Sequence, residues 1–343
     1  APDLGMLVHG ALRIIGERLL REQKQWHDIP DADVPAICRQ ATDELAPQVQ
    51  HDILMSNAYF AQIKERLIQT LTRTVRRLSA FSAVSDFHME GLEKSFGRPG
   101  SPWEALRFTL KNGLQVVVTG QIDRIDTLRQ GDHKYVVIID YKSGRKQLDI
   151  SQIFTGLELQ LLTYMFVALL NIGGDAIPAA VLYCYVRNDK VSLEYRVSEE
   201  DKKKLYDAKG KLTGFYLDDG QVMQQLDTSM QGFSDFLNLR LKKDGTLSDS
   251  SHTLYNEAGW SHLLDWAARQ IRDIAGHIGD GDISIHPILM GQQAPCSYCP
   301  YRPVCRFDVA VAGNTYDAAG REDTDEMIQK MLDEGDDEHG LDE

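Results

Sequence analysis

The stretch Leu114–Gly144, LQVVVTGQIDRIDTLRQGDHKYVVIIDYKSG, decides the fold that we expect for this chain. Its two ends are rich in β-branched residues and contain no proline, which predicts two strands, Leu114–Asp126 and Tyr135–Gly144. A polar turn that contains Gly131 joins them, so the strands can pair as a hairpin. The apolar run of the second strand is typical of a strand covered on both faces. The hairpin nevertheless carries acidic residues at positions where an apolar sheet normally has none.

Three charged residues of this hairpin, Asp123, Asp140 and Lys142, indicate a catalytic metal site. Side chains alternate along a strand, so Asp140 and Lys142 share one face and Tyr141 points away. Pairing across the Gly131 turn brings Asp123 close to Asp140. Two ionised carboxylates beside an apolar sheet repel each other and lose hydration unless a cation lies between them. Carboxylate oxygens suit Mg²⁺ or Mn²⁺, and a lysine there can hold water or stabilise developing negative charge.

A helix predicted at about residues 150 to 170 adds Gln160 and Tyr164, which are four residues apart and therefore lie on one helix face. The alternative interpretation is that each acid is an ordinary strand charge with a salt-bridge partner. The combined pattern favours a site, because Asp123 is followed after sixteen residues by Asp-Tyr-Lys and after seventeen more by Gln-x-x-x-Tyr.

The motifs GQIDRID, IIDYKSG and GLELQLLTY resemble the nuclease motifs of the RecB-like branch of the PD-(D/E)xK superfamily. The resemblance implies an α/β fold with a mixed sheet flanked by helices, and hydrolysis of DNA with Mg²⁺ or Mn²⁺. It implies that Asp123 and Asp140 hold the metal and that Lys142 assists catalysis. It also implies that Gln160 and Tyr164 shape the site.

Two further residues near these motifs need their own interpretation. His9 lies in an amphipathic helix predicted at residues 3–24. A lone histidine beside an apolar stripe is more often a core residue, but GMLVHGAL resembles the upstream motif in which family members bind the metal through a histidine. We therefore expect His9 to be a metal ligand. Asp126 falls on the opposite strand face from Asp123, so we expect it to be a structural partner of Arg124 or of another basic residue.

The composition fits a globular protein, with 343 residues, 43% hydrophobic and 26% charged. No apolar run is long enough to span a bilayer and no signal peptide is evident, so we expect a soluble, cytoplasmic protein without a membrane partner. The net charge of −14 is unusual for a DNA-binding protein, but residues 321–343 carry eleven acidic and two basic residues. The rest of the chain is close to neutral, and its charge does not exclude nucleic acid.

Three of the five cysteines form the motif Cys296-x-x-Cys299-x5-Cys305. In an intracellular protein, this spacing indicates a metal site rather than a disulfide. Zinc and a 4Fe–4S cluster both require four ligands, and only three cysteines are close together here. Cys38 and Cys184 lie in helical and strand patterns, and we expect them to be buried small apolar residues.

The cysteine motif, the stretch LKKDG and the helix motif narrow the resemblance to AddB-type nuclease domains, from PDLGMLVH to CRFD. This resemblance implies that Cys296, Cys299 and Cys305 bind a 4Fe–4S cluster together with a cysteine far upstream. We expect the chain to be a piece of a longer polypeptide and the cluster to be absent or labile in it. The resemblance also implies two partners, an AddA-type helicase–nuclease subunit and single-stranded or unwound DNA ends, with cutting of the 5′-ended strand during repair of double-strand breaks.

The remaining chain predicts one nuclease domain and a tail. We expect the domain at 1–312, with a helical part (1–83), a catalytic core (84–198) and a C-terminal part with the cysteines (199–312), followed by an acidic, disordered tail (313–343) with one short helix at 327–332. Strands 87–96 and 105–110 should extend the sheet of the hairpin, and further strands are predicted at 179–186, 191–197 and 282–288. Further helices are predicted at 34–48, 57–83 and 254–278.

Other functions stay open at this point. A stand-alone or CRISPR-associated RecB-like exonuclease would share the motifs, and a catalytically inactive DNA-binding scaffold could hold structural zinc at the cysteines. The intact acidic set disfavours the scaffold, because unused charges in an apolar strand have no physical reason to persist. No phosphate-loop motif occurs in the chain, so it has no ATPase motor of its own. The basic runs Lys202–Lys204 and LRLKKDG, with Arg240, Lys242 and Lys243, are either DNA contacts or plain solvated surface.

Overall fold

The structure is a computed structural model, and the part that it describes comprises residues 2–48, 58–144, 148–174, 176–186, 198, 210–248, 252–291, 294–319 and 324–336. The chain divides into two compact units. Unit 1 contains Ala1–Ala105, Thr119–Gln147 and Tyr164–Glu257, and unit 2 contains Leu106–Val118, Leu148–Thr163 and Ala258–Glu343. Among the described helices, none is long and apolar enough to cross a membrane.

The described strands are β1 (His88–Phe96), β2 (Leu106–Thr109), β3 (Gln115–Val118), β4 (Gly120–Gln130), β5 (His133–Lys142), β6 (Ala176–Tyr185), β7 (Thr213–Leu217), β8 (Leu254–Tyr255), β9 (Ile288–Met290) and β10 (Asp317–Ala319). The described α-helices are α1 (Pro2–Arg21), α2 (Val34–Leu45), α3 (Ala58–Ser82), α4 (Ile150–Phe154), α5 (Gln160–Ile172), α6 (Gly220–Leu226), α7 (Glu257–Gly279), α8 (Arg302–Cys305) and α9 (Thr324–Asp336).

Six described strands form the mixed sheet of unit 1, in the order β1-β4-β5-β6-β7-β8. The pairs β5/β6 and β7/β8 run parallel, and the other neighbouring strands run antiparallel. β5 lies inside the sheet, and its apolar residues from Val136 to Ile139 have no exposed surface. This confirms both the mixed α/β fold and the prediction that β5 is covered on both faces.

The hairpin β4/β5 has the register that its turn predicts. Gln130 pairs with His133 across the two residues Gly131 and Asp132, and Gly131 has a φ of 61°, which glycine adopts without strain. The pairing runs back to Arg124 opposite Ile139. One residue further, the same register sets Asp123 opposite Asp140, so the predicted proximity of the two aspartates is confirmed.

The prediction of one strand over Leu114–Asp126 is wrong, as is the prediction that residues 105–110 extend the main sheet. The structure divides this stretch into β3, which pairs with β2 in a separate two-stranded sheet of unit 2, and β4, which pairs with β1 in unit 1. Gly120 stands where β4 begins, and a Cβ there would lie 2.6 Å from the ring of Phe96 on β1. Strand propensity predicted the strands, but it carries no information about their partners.

The continuous helix predicted at 150 to 170 is also interrupted. It forms two helices, α4 and α5, and Gly156 lies between them with a φ of 73° in the left-handed region that ends helices. Residues 254–255 belong to β8 and not to the helix α7 that follows, and the strand expected at 282–288 is reduced to β9. The strand predicted at 191–197 and the run Lys202–Lys204 lie outside the described residues.

The acidic C-terminal region contains more structure than the predicted short helix. β10 pairs in parallel with β9, and α9 runs from Thr324 to Asp336. α9 packs against α4 within unit 2, and Met327 and Met331 are buried. Two apolar residues four positions apart form one face of a helix, which explains why this acidic segment packs.

Helix α1 is held close to its neighbours in unit 1 by two glycines. A Cβ at Gly10 would lie 2.9 Å from Leu45 on α2, and a Cβ at Gly16 would lie 2.2 Å from Leu92 on β1. Larger residues at either position would push α1 away, whereas glycine permits close backbone approach. The helix that carries His9 is therefore fixed against the strand beside β4.

A buried ion pair lies on the other face of the hairpin. Arg124 donates two hydrogen bonds to Asp126, at 2.7 and 2.6 Å, and both residues are 2% exposed. The guanidinium also lies 5.7 Å from the ring of Trp26. Burial opposes the charge of Arg124, but Asp126 outweighs it and holds the pKa of the guanidinium above its ordinary value. The predicted structural pairing of Asp126 with Arg124 is confirmed.

Removing one partner of this pair should destabilise the protein strongly. Asp126→Asn leaves the Arg124 charge buried without its counter-ion, so we expect a loss of about 3–5 kcal/mol in the free energy of unfolding. Urea unfolding measures it. Glu65→Gln, at the exposed Arg39–Glu65 pair, is the control and should change little. A loss below about 1 kcal/mol for Asp126→Asn would contradict this account.

Candidate metal centre

The two hairpin aspartates are held in place by the backbone and by a lysine. Asp123 is 9% exposed and accepts a hydrogen bond from the amide of Tyr141 at 2.9 Å. Asp140 is 1% exposed, and its Oδ2 lies 2.6 Å from Nζ of Lys142. The ammonium of Lys142 also lies 5.3 Å from the ring centroid of Tyr183 on β6. Lys142 and Asp140 therefore present their charges on the same face, as strand alternation predicts.

His9 approaches these residues from α1. Its Nδ1 lies 3.3 Å from Oδ2 of Asp123, and its ring meets the ring of Tyr141 edge-on at 6.0 Å. Burial lowers the pKa of His9, but the hydrogen bond to Asp123 and the charges of Asp123 and Asp140 outweigh burial, so the net pKa is raised. The structure thus brings His9 to the aspartates, as a ligand shared with them would require.

Glu93 is a member of this cluster that sequence reasoning missed. One oxygen of Glu93, one of Asp123 and a ring nitrogen of His9 all lie within 4.8 Å of one another. Glu93 lies on β1 between Leu92 and Lys94, whose partners on β4 are Arg124 and Ile122, so it faces Asp123. Its φ of 46° is unusual for a residue other than glycine. Such strain at a cluster of charges is typical of functional sites.

The sequence contained only a weak signal for Glu93. The strand HMEGLEKSF offers two glutamates, and strand propensity does not distinguish between them. Glu90 binds Lys134 and Thr127, whereas Glu93 reaches the cluster because the β1/β4 register shifts between Met89 and Gly91. An irregularity of this kind cannot be located from propensity or alternation.

The acids of the cluster resist ionisation when no cation is present. Burial, followed by the charge of Asp123, raises the pKa of Glu93 to about 7. Burial and the charge of Asp123 likewise raise the pKa of Asp140 to about 6, although Lys142 acts in the opposite direction. Carboxylate oxygens and one imidazole nitrogen form a donor set that suits Mg²⁺ or Mn²⁺. The residues present therefore fit a divalent metal, which would relieve the repulsion among the acids.

An open cavity of about 520 Å³ adjoins the cluster. It is lined by Gly5, Met6, His9, Gly10, Arg13, Glu93 and Gln121. Arg13 lies one helical turn beyond His9 and is exposed, and Gln121 donates a hydrogen bond to the backbone oxygen of Glu93. The cavity can therefore offer a guanidinium to an anionic group near the metal ligands.

The helix motif is divided between the two units. Gln160 is the first residue of α5 and belongs to unit 2, whereas Tyr164 lies one turn further and belongs to unit 1. In unit 1, the ring of Tyr164 meets Phe96 edge-on at 6.0 Å. The expectation that both residues lie along one helix face is confirmed, and their role stays a prediction.

The cysteines separate into two groups. Cys38 and Cys184 are buried in unit 1, where burial raises the pKa of each thiol to about 11, and their predicted apolar role is confirmed. Cys296 is partly exposed, and Cys299 and Cys305 are exposed, all in unit 2. Over the part of the chain that the structure describes, the three-ligand group within 4.8 Å is the one at His9, and the cysteines form none.

Comparisons with known proteins match almost the whole chain. A family model described as the PD-(D/E)XK nuclease superfamily matches residues 1–306. Proteins named as B-type subunits of an ATP-dependent helicase/deoxyribonuclease are similar to it. The one from Bacillus pumilus is 32% identical over 98% of this chain and 29% of its own length. Those from Bacillus subtilis and Moorella thermoacetica are 34% and 35% identical over 92% of this chain, and over 27% and 28% of their own lengths. The chain spans less than a third of these relatives.

The raised pKa values predict how the stability of the metal-free protein depends on pH. Glu93, Asp140 and His9 each bind a proton more tightly in the folded chain, so the folded state holds more protons near neutral pH. Their contribution to the free energy of unfolding should therefore fall as the pH rises from about 5 to about 8. Thermal unfolding in EDTA measures this fall. Glu93→Gln should make it shallower, and an equally steep fall in that variant would contradict the assignment.

Proposed function

The chain belongs to the PD-(D/E)XK nuclease superfamily, and on that premise we propose that it is a metal-dependent nuclease region that hydrolyses single-stranded DNA. One observation carries this proposal. Asp123 and Asp140 face each other at the end of a buried hairpin, with His9, Glu93 and Lys142 around them. A phosphodiester carries negative charge, and a site built from acids can bind it only through a cation.

The chemistry divides among the residues of the cluster. Asp123, Asp140, His9 and Glu93 would hold Mg²⁺ or Mn²⁺. When bound, such an ion acts as a Lewis acid on the phosphate and lowers the pKa of a coordinated water. The oxygen of the attacking water forms a bond to phosphorus while the bond from phosphorus to the leaving sugar oxygen breaks, and that oxygen takes up a proton. Lys142 stabilises the negative charge that develops on the phosphate oxygens.

The surroundings of the cluster position the strand to be cut. Arg13 lies in the adjoining cavity, where its guanidinium can hold a phosphate next to the one that is cut. Gln160 and Tyr164 would orient Lys142 and the substrate from α5. Tyr141 contributes its backbone amide to Asp123, while its side chain lies on the buried face and fixes the strand.

We further propose that the chain acts within a larger helicase–nuclease. The relatives carry the name of an ATP-dependent helicase and deoxyribonuclease, of which each is one subunit, and this supports an AddA-type subunit as partner and unwound DNA ends as substrate. In this assembly the region would trim the 5′-ended strand when double-strand breaks are processed for recombinational repair. Its place of action would be the cytoplasm, where bacterial DNA is accessible.

The cysteine motif is proposed to hold a 4Fe–4S cluster. Cys296, Cys299 and Cys305 are accessible and closely spaced in sequence, whereas Cys38 and Cys184 are buried and poorly ionised. The fourth ligand would come from another segment of the protein. A cluster with such ligands would join distant parts of the chain and restrict the unfolded state, as a cross-link does.

Two substitutions test the catalytic assignment on a labelled single-stranded oligonucleotide, with Mg²⁺ or with EDTA. Asp140→Asn should abolish Mg²⁺-dependent cleavage, and Lys142→Ala should lower kcat by about a hundredfold or more with little change in KM. Lys134→Ala is the matched control, because Lys134 lies on the same strand and pairs with Glu90 at 2.7 Å. It should cut normally. Cleavage by Asp140→Asn at the wild-type rate would exclude the site.

The cluster proposal is tested by iron analysis of the full-length protein, purified without air. Cys305→Ser should remove the iron, the sulfide and the visible absorbance of the cluster, and it should lower the Tm. Cys38→Ser is the control and should retain all the iron. Full iron content in Cys305→Ser, or loss of iron in Cys38→Ser, would require a different ligand set.

A further inference from the structure

A short irregular ribbon follows α6 in unit 1. Phe233 pairs with Arg240 in an antiparallel bridge. On either side, the amide of Leu241 donates to the carbonyl of Gly232 at 2.9 Å, and the amide of Ser234 donates to the carbonyl of Leu239 at 3.0 Å. Continuing this register by two residues sets Gln231 opposite Lys242. Two extended segments therefore run side by side here, with the regular spacing of a hairpin.

The two faces of this ribbon differ completely. Alternation puts Gln231, Phe233, Arg240 and Lys242 on one face, and none of the four is buried. The other face contributes the buried residues Met230, Ser234 and Leu239. The ribbon therefore has an inner face that packs on unit 1 and an outer face of one aromatic ring, one amide and two cations. We call these four outer residues the ribbon face.

The ribbon is anchored by a buried carboxylate. Asp227 has no exposed surface, and it accepts hydrogen bonds from the hydroxyls of Ser229 and Ser234, at 2.6 and 2.5 Å. The hydroxyl of Ser234 in turn accepts from the amides of Phe236 and Leu237. This network holds the bend between the two segments, so the ribbon face is preorganised and its binding loses little conformational entropy.

Phe233 is 72% exposed, although Arg240 lies over its ring at 4.9 Å. A single exposed aromatic residue is common on protein surfaces, and an arginine beside it can simply cover it. Here the arginine leaves most of the side chain in solvent, so the ring can still accept a flat partner. A guanidinium already stacked on the ring is also placed to contact a phosphate attached to that partner.

The charge of the ribbon face is entirely positive. Among the residues that the structure describes, no ion pair involves Arg240 or Lys242. The acid nearest in sequence, Asp244, is occupied in the turn, where its carboxylate accepts from the amide and the hydroxyl of Thr246 at 3.0 and 2.7 Å. Lys243 is exposed beside it. In a chain with a net charge of −14, a rigid cationic face with an open ring points to a polyanion with flat groups.

We propose that the ribbon face binds single-stranded DNA, with a base stacked on Phe233 and phosphates held by Arg240 and Lys242. The inference rests on the proposed function, because it takes DNA as the substrate, but it concerns a surface separate from the metal ligands. Duplex DNA keeps its bases stacked on each other, so it cannot place one on the ring. Single strands are therefore preferred, and the preference has little dependence on sequence, since every base has a flat face.

The test is the affinity for a fluorescent oligothymidylate in EDTA, measured by anisotropy with the full chain. Phe233→Ala should weaken binding roughly tenfold, and Phe233→Trp should retain it. Arg240→Ala should also weaken binding and should lower the dependence of log Kd on log salt by about one. Tyr59→Ala is the matched control, because Tyr59 lies in the same unit, is 67% exposed, and should have no effect.

The outcomes separate this inference from the proposed function. If wild-type affinity persists in Phe233→Ala, the ribbon face is not the DNA surface. If Phe233→Ala keeps its DNA affinity but no longer binds a helicase partner, the ribbon face is a protein interface and the proposal is overturned. If Phe233→Ala weakens DNA binding while wild-type protein fails to cut DNA with Mg²⁺, the surface stands and the nuclease assignment fails. Because binding is measured without metal, a defect in catalysis cannot imitate the predicted effect.

Discussion

The structure depends on the mutual repulsion of Asp123 and Asp140, two carboxylates that a buried hairpin forces to face each other. Neither water nor a full set of hydrogen bonds offsets their charge, and burial together with repulsion raises the pKa of Asp140 to about 6. A divalent cation is the simplest group that satisfies both acids at once. The nearby imidazole of His9 and the strained carboxylate of Glu93 have the same explanation, since they complete a donor set.

The fold makes this costly arrangement possible by dividing the hairpin into two faces. Asp123, Asp140 and Lys142 lie on one face, while Arg124, Asp126 and the ring of Tyr141 are buried on the other. The pairing of Arg124 with Asp126 ties that second face to Trp26, so the strands cannot shift to relieve the repulsion. Rigidity behind the site therefore maintains strain within it, which is a common property of catalytic centres.

Alternation and turn chemistry were sufficient to predict much of this from the sequence. Gly131 determined the register of the hairpin, and the register determined that Asp123 faces Asp140 and that Asp126 faces away. Pairing partners were not predictable, because β-branched residues favour a strand without specifying its neighbour, and β3 accordingly joined β2 in unit 2. Glu93 was missed because only an irregular β1/β4 register distinguishes it from Glu90.

The most direct test of the central claim is anomalous diffraction from a crystal of the protein that contains Mn²⁺. We predict a manganese peak between the carboxylates of Asp123 and Asp140, within bonding distance of an imidazole nitrogen of His9 and of a carboxylate oxygen of Glu93. The peak should be absent from crystals of Asp140→Asn. A wild-type crystal in which Mn²⁺ binds elsewhere, with Lys142 alone compensating the two aspartates, would contradict the account.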